Sequence, residues 1–179
     1  GFFDRQRLWE QDEHMRDIVF DSPAATIAAQ FLDVDTLNLL YDQIFIKEPA
    51  SNVRTPWHND LPNWPVRGTQ LITVWVALDP INEKNGMLEF VRGSHLWDRW
   101  TPRPHTDIDG RLTHFHIDES ESATQEEMQA DYADVESAAR CGEILRWQTQ
   151  PGDAVVFGAL TVHGAAGNAG AGMKRRAYS

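Results

Sequence analysis

Short segments of alternating apolar and polar residues, separated by turns rich in glycine and proline, constrain the fold of this chain most. Residues 70–78 are the clearest example, because β-branched and aromatic residues dominate them as they do in strands. Similar segments cover residues 39–46, 53–60, 87–91, 144–147, 154–162 and 174–179. Many short strands joined by such turns predict a mainly β fold with flanking helices, of the jelly-roll or cupin-like barrel type.

The helical signals lie before or between these segments. Ser22-Pro23 precedes an alanine-rich stretch and predicts a helix over residues 24–32, since serine caps and proline fits the first turn. Residues 124–140 form an acidic helix candidate, and residues 3–19 indicate a helix or an irregular lead-in. Without a linker or repeat, residues 1–179 are expected to form a single domain, with residues 98–142 as a variable insertion or lid. The missing initiator methionine and a last segment that resembles a strand indicate a chain incomplete at its termini.

Composition excludes several classes of function. The net charge of −11 argues against nucleic-acid binding, which depends on lysine and arginine to neutralise phosphates. No apolar run approaches the roughly 20 residues that span a membrane, and charges within residues 1–5 predict that there is no signal peptide. Cys141, the sole cysteine, excludes an internal disulfide and fits a reducing, cytoplasmic location. The sequence carries no signal for an oligomeric state.

His58-Asn59-Asp60 is the strongest functional signal. In a strand, residues two apart project from one face, so His58 and Asp60 are expected to aim an imidazole and a carboxylate at one point. His163, at the end of a distant apolar segment, would supply a second nitrogen. The alternative is that His163 is a histidine buried in the core with no functional role. Two histidines and one carboxylate form the facial triad that binds Fe(II) and leaves positions open for a cosubstrate and dioxygen.

Arg175 is the candidate for binding an anion near that triad. A glycine-rich hairpin through residues 164–172 is expected to lay residues 174–177 antiparallel beside 160–163, within one strand spacing of His163. A buried guanidinium needs an anionic partner and matches a carboxylate in a bidentate pair. Alternation along the strand sends Arg176 to the opposite face, where an exposed charge is expected.

Other polar side chains are weaker candidates. Thr73 and Trp75 share a strand face, as residues of a cosubstrate pocket should, and Gln43 joins them, although ordinary sheet packing is an alternative. Lys47 and Arg67 are expected to be exposed charges rather than ligands of an acidic group.

A rival metal cluster consists of His114 and His116 with Asp118, which also have strand spacing. Its polar surroundings favour a loop or lid instead. Ser94 lacks the strand-turn-helix context of a hydrolase nucleophile. His95 is expected to make a hydrogen bond in a turn.

A set of motifs in fixed order resembles the phytanoyl-CoA dioxygenase-like (PhyH) family of Fe(II)- and 2-oxoglutarate-dependent oxygenases. The resemblance covers residues 39–97 and 143–179. Its motifs are the segments 41–49, 55–62, 64–65, 85–86, 92–95, 151–153, 163–164 and 175–177. Asn59 stands where glutamine is common, and Ala165 stands where serine is frequent.

The resemblance implies a double-stranded β-helix that hydroxylates a small organic substrate with O2, giving succinate and CO2 from 2-oxoglutarate. It implies His58, Asp60 and His163 as iron ligands and Arg175 as the partner of the distal 2-oxoglutarate carboxylate. Gln43, Thr73 and Trp75 match positions that line the cosubstrate pocket. A cupin-like metal isomerase and a catalytically silent metal- or ligand-binding barrel are the alternatives.

Overall fold

The computed structural model describes residues 1–97, 105–106, 112–113, 134–170 and 172–179. In these residues the chain is mainly β, with two antiparallel sheets and few helices, which confirms the predicted class. The first strands are β1 (Phe2–Gln6), β2 (Gln43–Lys47), β3 (Thr55–His58), β4 (Ile72–Ala77), β5 (Leu88–Val91), β6 (His105–Thr106) and β7 (Leu112–Thr113). The later strands are β8 (Ile144–Arg146), β9 (Ala154–Gly158), β10 (His163–Ala165) and β11 (Arg175–Tyr178).

The two large sheets each combine strands that are distant in sequence. Sheet I has the order β1-β2-β11-β4-β9, and sheet II has the order β3-β10-β5-β8. Among the residues that the structure describes, the strands β6 and β7 pair only with each other. Pairing of this kind brings residues more than 100 positions apart side by side, as in His58 opposite His163.

The main hydrophobic core lies between the two sheets. Alternation sends one set of side chains from each sheet inward. Sheet I contributes Trp75, Ala77, Phe157 and Ala177, and sheet II contributes Leu88, Phe90 and Ala165. The inward face of sheet I therefore consists of the odd-numbered residues of β2, β4, β9 and β11.

The helices cover the sheets. The helix α2 (Ala24–Leu32) forms where it was predicted, and α1 (Glu13–Phe20) begins after Asp12, whose carboxylate accepts hydrogen bonds from two backbone N–H groups. A third helix, α3, spans residues 134–141 and packs Val135 and Ala139 into a second core cluster. The earlier part of the predicted helix 124–140 lies outside the described residues. No helix in the described part of the chain has both the length and the apolarity to cross a bilayer.

The N-terminal residues correct one expectation. Instead of a helix or irregular lead-in over residues 3–19, Phe2–Gln6 forms β1, and only the following residues are helical. The strand pairs with β2 in the register Phe2 opposite Lys47. Its charged side chains conceal the strand pattern because β1 lies at the edge of sheet I, where most of its residues stay exposed.

The segment before His163 also differs from the prediction. The strand expected over 154–162 ends at Gly158, where Thr161 N–H donates to the Gly158 carbonyl in a turn. His163 then begins β10 in the other sheet.

The hairpin predicted through residues 164–172 is wrong. Strand β10 pairs with β3 and β5 in sheet II, whereas β11 pairs with β2 and β4 in sheet I. The connection crosses from one sheet to the other, anchored by buried Asn168, whose Nδ2 donates to the carbonyls of Lys47 and Met173. Those side-chain hydrogen bonds replace the backbone ladder that a hairpin would have formed.

The close packing of this crossing predicts a sharp difference between two glycine substitutions. A Cβ on Gly167 would lie 2.9 Å from Asn52 Cα, so in Gly167→Ala the backbone at one of these two residues must shift. A Cβ on Gly158 would meet its nearest atoms at 4.0 Å. We expect Gly167→Ala to lower the free energy of unfolding in urea by about 1–3 kcal/mol, and the control Gly158→Ala to change it by less than about 0.5 kcal/mol. Equal effects would contradict the described crossing.

Candidate metal centre

Three side chains from two neighbouring strands converge at one end of sheet II. His58 ends β3, His163 begins β10 directly opposite it, and Asp60 follows β3 by two residues. Asp60 Oδ1 lies 3.5 Å from His58 Nε2 and 3.7 Å from His163 Nε2. The three predicted side chains therefore do come together. Asp60, however, does not extend strand β3; it is the residue at which the 3-10 helix Leu61–Asn63 begins.

Hydrogen bonds fix which nitrogen of each imidazole faces the carboxylate. His58 Nδ1 lies 2.8 Å from the Pro56 carbonyl oxygen, and His163 Nδ1 lies 2.9 Å from that of Thr161. A carbonyl only accepts, so each Nδ1 carries the proton and donates it. Nε2 of each ring then faces the Asp60 carboxylate. Outer hydrogen bonds of this kind orient metal-binding histidines.

Asp60 is held by its own network. Thr73 Oγ1 in β4 donates to Asp60 Oδ2 over 3.2 Å, and Asp60 N–H donates to the Ala159 carbonyl. Burial opposes ionisation of the carboxyl group, but His163, His58 and Thr73 together outweigh it and hold the pKa of Asp60 below its usual value. The carboxylate is therefore charged at neutral pH, with one oxygen oriented by Thr73 and the other facing the imidazoles.

The geometry fits a single divalent cation. The three ligand atoms all lie within 4.8 Å of one another. The two distances from Asp60 Oδ1, 3.5 and 3.7 Å, are within the roughly 4.2 Å that a metal bonded to both atoms over about 2.1 Å can span. Two neutral nitrogens and one carboxylate oxygen are all acceptors, so their convergence is favourable with a cation among them. Within the part of the chain that the structure describes, no other three metal-binding side chains come together. The rival cluster of His114, His116 and Asp118 lies outside the described residues.

A second polar group lies on the inward face of sheet I. Arg175 is 2% exposed, and its guanidinium carbon lies 5.7 Å from the centroid of the Trp75 ring. Its Nε has no hydrogen-bond partner in the described structure. Burial lowers the pKa of Arg175 to about 10, against the attraction of Asp79, so the group stays charged at neutral pH. An anion would offset this buried charge and satisfy the Nε donor, so Arg175 is a candidate anion-binding residue.

All four predicted cosubstrate residues share this face. Thr73 and Trp75 follow one another along β4, while Gln43 in β2 is buried and pairs through its backbone with Ser179. Arg176 points to the outer face, where its guanidinium binds Asp79 over 2.7 Å and its side chain is 52% exposed. The structure therefore buries Arg175 on the inward face and exposes Arg176 on the outer face, as alternation along the strand predicted.

Comparison with known families accords with this geometry. The phytanoyl-CoA dioxygenase (PhyH) profile matches residues 1–177. The chain belongs to the PhyH family. No curated protein shows significant similarity to this PhyH chain.

Several solved structures share the fold of this PhyH chain. The alpha ketoglutarate-dependent carbocyclase SnoK from nogalamycin biosynthesis is 22% identical, with a TM-score of 0.74 over 99% of this chain and 61% of that chain. AviO1 from Streptomyces viridochromogenes Tue57 is 26% identical, with a TM-score of 0.66 over 98% of this chain and 64% of that one. The epimerase SnoN, in complex with Fe3+, alpha ketoglutarate and nogalamycin RO, is 21% identical, with a TM-score of 0.69 and coverages of 99% and 61%. The present chain thus spans about three fifths of the length of each of these proteins.

Sequence reasoning missed or misjudged some residues of the site. Lys47, expected to be exposed, is 0% exposed at the end of β2, whereas Arg67 is exposed as expected. Ser94 is buried, and its Oγ accepts a hydrogen bond from Val162 N–H, which fixes the backbone just before His163. Lys47 shares a face of β2 with Gln43 and Phe45, because residues two apart on a strand point the same way. Since that face turns inward, strand alternation could have predicted the burial of Lys47.

Phe90 and Phe157 surround the His163 imidazole. Their ring centroids lie 5.8 and 4.6 Å from it. This aromatic wall removes water from one side of the PhyH metal centre and strengthens the electrostatic interactions there.

The hydrogen bond from Thr73 to Asp60 predicts a selective loss of metal affinity. Thr73→Val removes that donor and is expected to weaken Fe(II) binding about 10–100-fold, the usual effect of removing an outer hydrogen bond. Calorimetry under anaerobic conditions measures it. The matched control is Thr149→Val, because the buried Thr149 hydroxyl has no hydrogen-bond partner in the described structure. Equal affinities in the two variants would exclude the orienting role of Thr73.

Proposed function

We propose that this PhyH protein is an Fe(II)- and 2-oxoglutarate-dependent oxygenase. The observation that carries the proposal is the convergence of His58, Asp60 and His163, with buried Arg175 on the facing sheet. We further propose that the two sheets form the double-stranded β-helix barrel typical of such enzymes, with residues 1–179 as one domain. The exposed single cysteine, Cys141, supports a cytoplasmic location.

The triad residues would hold Fe(II) through His58 Nε2, His163 Nε2 and an Asp60 oxygen. Three protein ligands leave adjacent positions open for a bidentate cosubstrate and O2. The bound iron supplies the activation of O2, coupled to oxidative decarboxylation of 2-oxoglutarate to succinate and CO2. The protein keeps the imidazole tautomers fixed, orients the carboxylate through Thr73 and excludes water with Phe90 and Phe157.

The cosubstrate would lie along the inward face of β4. Thr73 contacts the metal-binding carboxylate, Trp75 is the next residue on that face, and Arg175 stands over Trp75. Residues two apart on a strand are separated by about 6.6–6.8 Å, which suits a five-carbon dicarboxylate. Its oxo acid end would reach the metal, and its distal carboxylate would pair with Arg175. Gln43 would close the pocket on the β2 side.

The reaction we propose is hydroxylation of a small organic substrate. A carboxylate ligand from Asp60 occupies the coordination position that a halide would need, so oxygen transfer is favoured over halogenation. The structural neighbours include an epimerase and a carbocyclase, so these outcomes compete with hydroxylation on the same fold. A cupin-like metal isomerase or a silent binding barrel would not consume 2-oxoglutarate. Conversion of 2-oxoglutarate to succinate by the Fe(II)-loaded protein therefore tests the proposed class directly.

Removing any ligand of the triad is expected to abolish this conversion. His58→Ala, Asp60→Ala and His163→Ala should each lose Fe(II) binding and succinate formation. The control is His95→Ala, an exposed histidine in the 3-10 helix Ser94–Leu96, which should keep both. Undiminished iron binding in the three triad variants would show that the metal binds elsewhere.

Arg175→Leu should separate cosubstrate binding from metal binding. Loss of a buried, hydrogen-bonded charge pair costs about 2–5 kcal/mol, so the KM for 2-oxoglutarate should rise at least about 30-fold while Fe(II) still binds. Arg176→Leu removes only an exposed ion pair with Asp79 and should change the KM by less than about three-fold. Similar KM values for the two variants would contradict the proposed pocket.

Product mass distinguishes the reaction outcomes once a substrate is found. Hydroxylation adds one oxygen atom, which should carry label from 18O2, whereas epimerisation leaves the mass unchanged and ring closure by oxidation removes two hydrogens. We expect the labelled oxygen in the product. An unlabelled product of unchanged mass would refute hydroxylation while leaving the cofactor assignment intact.

A further inference from the structure

The turn that carries Asp60 lacks one of its backbone hydrogen-bond donors. The backbone of Asp60 is already helical, with a φ of −76° and a ψ of −36°, so residues 59–62 form a turn of the 3-10 type. In such a turn the N–H of the fourth residue donates to the carbonyl of the first. The fourth residue here is Pro62, and proline has no N–H. Residue 62 therefore cannot donate the bond that would close the turn onto the Asn59 carbonyl.

The side chain of Asn63 supplies a donor in its place. Asn63 Nδ2 donates to the Asn59 carbonyl over 3.0 Å and also approaches the Asp60 carbonyl oxygen, at 3.4 Å. The backbone N–H of Asn63 donates to the same Asp60 carbonyl over 2.9 Å. The peptide groups on either side of the Asp60 Cα are therefore both held by Asn63.

The position of this turn decides where the carboxylate lies. The N–H groups of Asp60 and Leu61 both donate to the Ala159 carbonyl, over 2.9 and 3.1 Å, which docks the turn on the chain that leads to His163. Asp60 Oδ1 has to stay near two imidazoles at once, 3.5 Å from His58 Nε2 and 3.7 Å from His163 Nε2. A binding site of this kind needs its ligands held within about 0.5 Å. A rotation of the peptide groups beside Asp60 would carry the carboxylate out of line with both imidazoles.

We infer that Asn63 is a positioning residue for the metal-binding carboxylate. Its side-chain amide replaces the N–H that Pro62 lacks, and it thereby fixes the turn that aims Asp60 at the metal. The inference rests on the part of the proposed function that assigns Asp60 to the metal. It does not depend on which reaction the bound metal supports.

The experiment restores the missing proline donor as a rescue. Asn63→Leu removes the amide at similar volume, and its Kd for Fe(II), measured by anaerobic calorimetry, should rise about ten-fold, as for other outer hydrogen bonds. Pro62→Ala adds a backbone N–H that can close the same turn, and alone it should change the Kd by less than about three-fold. In the double variant the new N–H replaces the lost amide, so the Kd should stay within about three-fold of the Pro62→Ala value.

Two further variants separate positioning from general stability. Asn63→Ala loses the amide without adding an apolar side chain, and it should weaken Fe(II) binding in the same way if Asn63→Leu does not fold. The matched control is Asn85→Leu, because Asn85 is buried and its Nδ2 donates over 2.8 Å to the Pro80 carbonyl in another turn. That turn follows the end of β4 remote from Thr73. Asn85→Leu should lower the melting temperature and leave the Kd for Fe(II) unchanged.

The outcomes separate this inference from the proposed function. If the unmutated protein binds Fe(II) but forms no succinate, the oxygenase activity is refuted, and the Kd values still decide the role of Asn63. If the unmutated protein binds no Fe(II), the metal assignment and the inference fail together. An unchanged Kd in folded Asn63→Leu or Asn63→Ala overturns the inference alone. A double variant as weak as Asn63→Leu, or an equal loss in Asn85→Leu, also overturns it.

Discussion

The pairing of β10 between β3 and β5 is the constraint on which the candidate metal centre depends. It places His163 opposite His58 on one side and opposite Phe90 on the other. Each imidazole is then fixed by a hydrogen bond from its own Nδ1 to a carbonyl two residues earlier. A shift of one residue in this register would turn His163 to the outer face of the sheet. The short strand therefore needs anchors beyond its three residues, and the buried Ser94, which accepts from Val162 N–H, is one of them.

A second constraint is that sheet I turns charged residues toward the core. Lys47 and Arg175 occupy adjacent inward positions that apolar side chains would fill at lower cost. Apart from Gln43 and Thr73, the rest of that face is apolar, as in Phe45, Ala77 and Ala177. Local violations of the hydrophobic pattern at a functional site are usual, because the ligand offsets the desolvation there. Here the violation is concentrated where the strands β2 and β11 meet.

The sequence was sufficient to predict the mainly β class, helix α2 and the convergence of His58, Asp60 and His163, but parts of the reasoning were wrong. Asp60 faces the histidines because the chain turns into a 3-10 helix, and not because a strand continues. The hairpin between His163 and Arg175 was the natural expectation for a glycine-rich connection, yet the two residues lie in different sheets. Hydrophobic alternation reveals strands and their faces; it does not reveal which strands pair across long separations. Strand β1 was also missed, because the exposed charged residues of this edge strand do not show the alternation of a half-buried strand.

Because the candidate site is divided between two sheets, its geometry depends on the contacts that bridge them. The candidate metal ligands lie at the end of sheet II, and the buried Arg175 lies on the inward face of sheet I. Among the polar side-chain contacts that bridge the two sheets are those from Thr73 to Asp60 and from Lys47 to the carbonyls of Ala165 and Ala166. One contact reaches the carboxylate of the triad and the other reaches the backbone at the end of the strand that carries His163, so side chains of sheet I help to fix the positions of both.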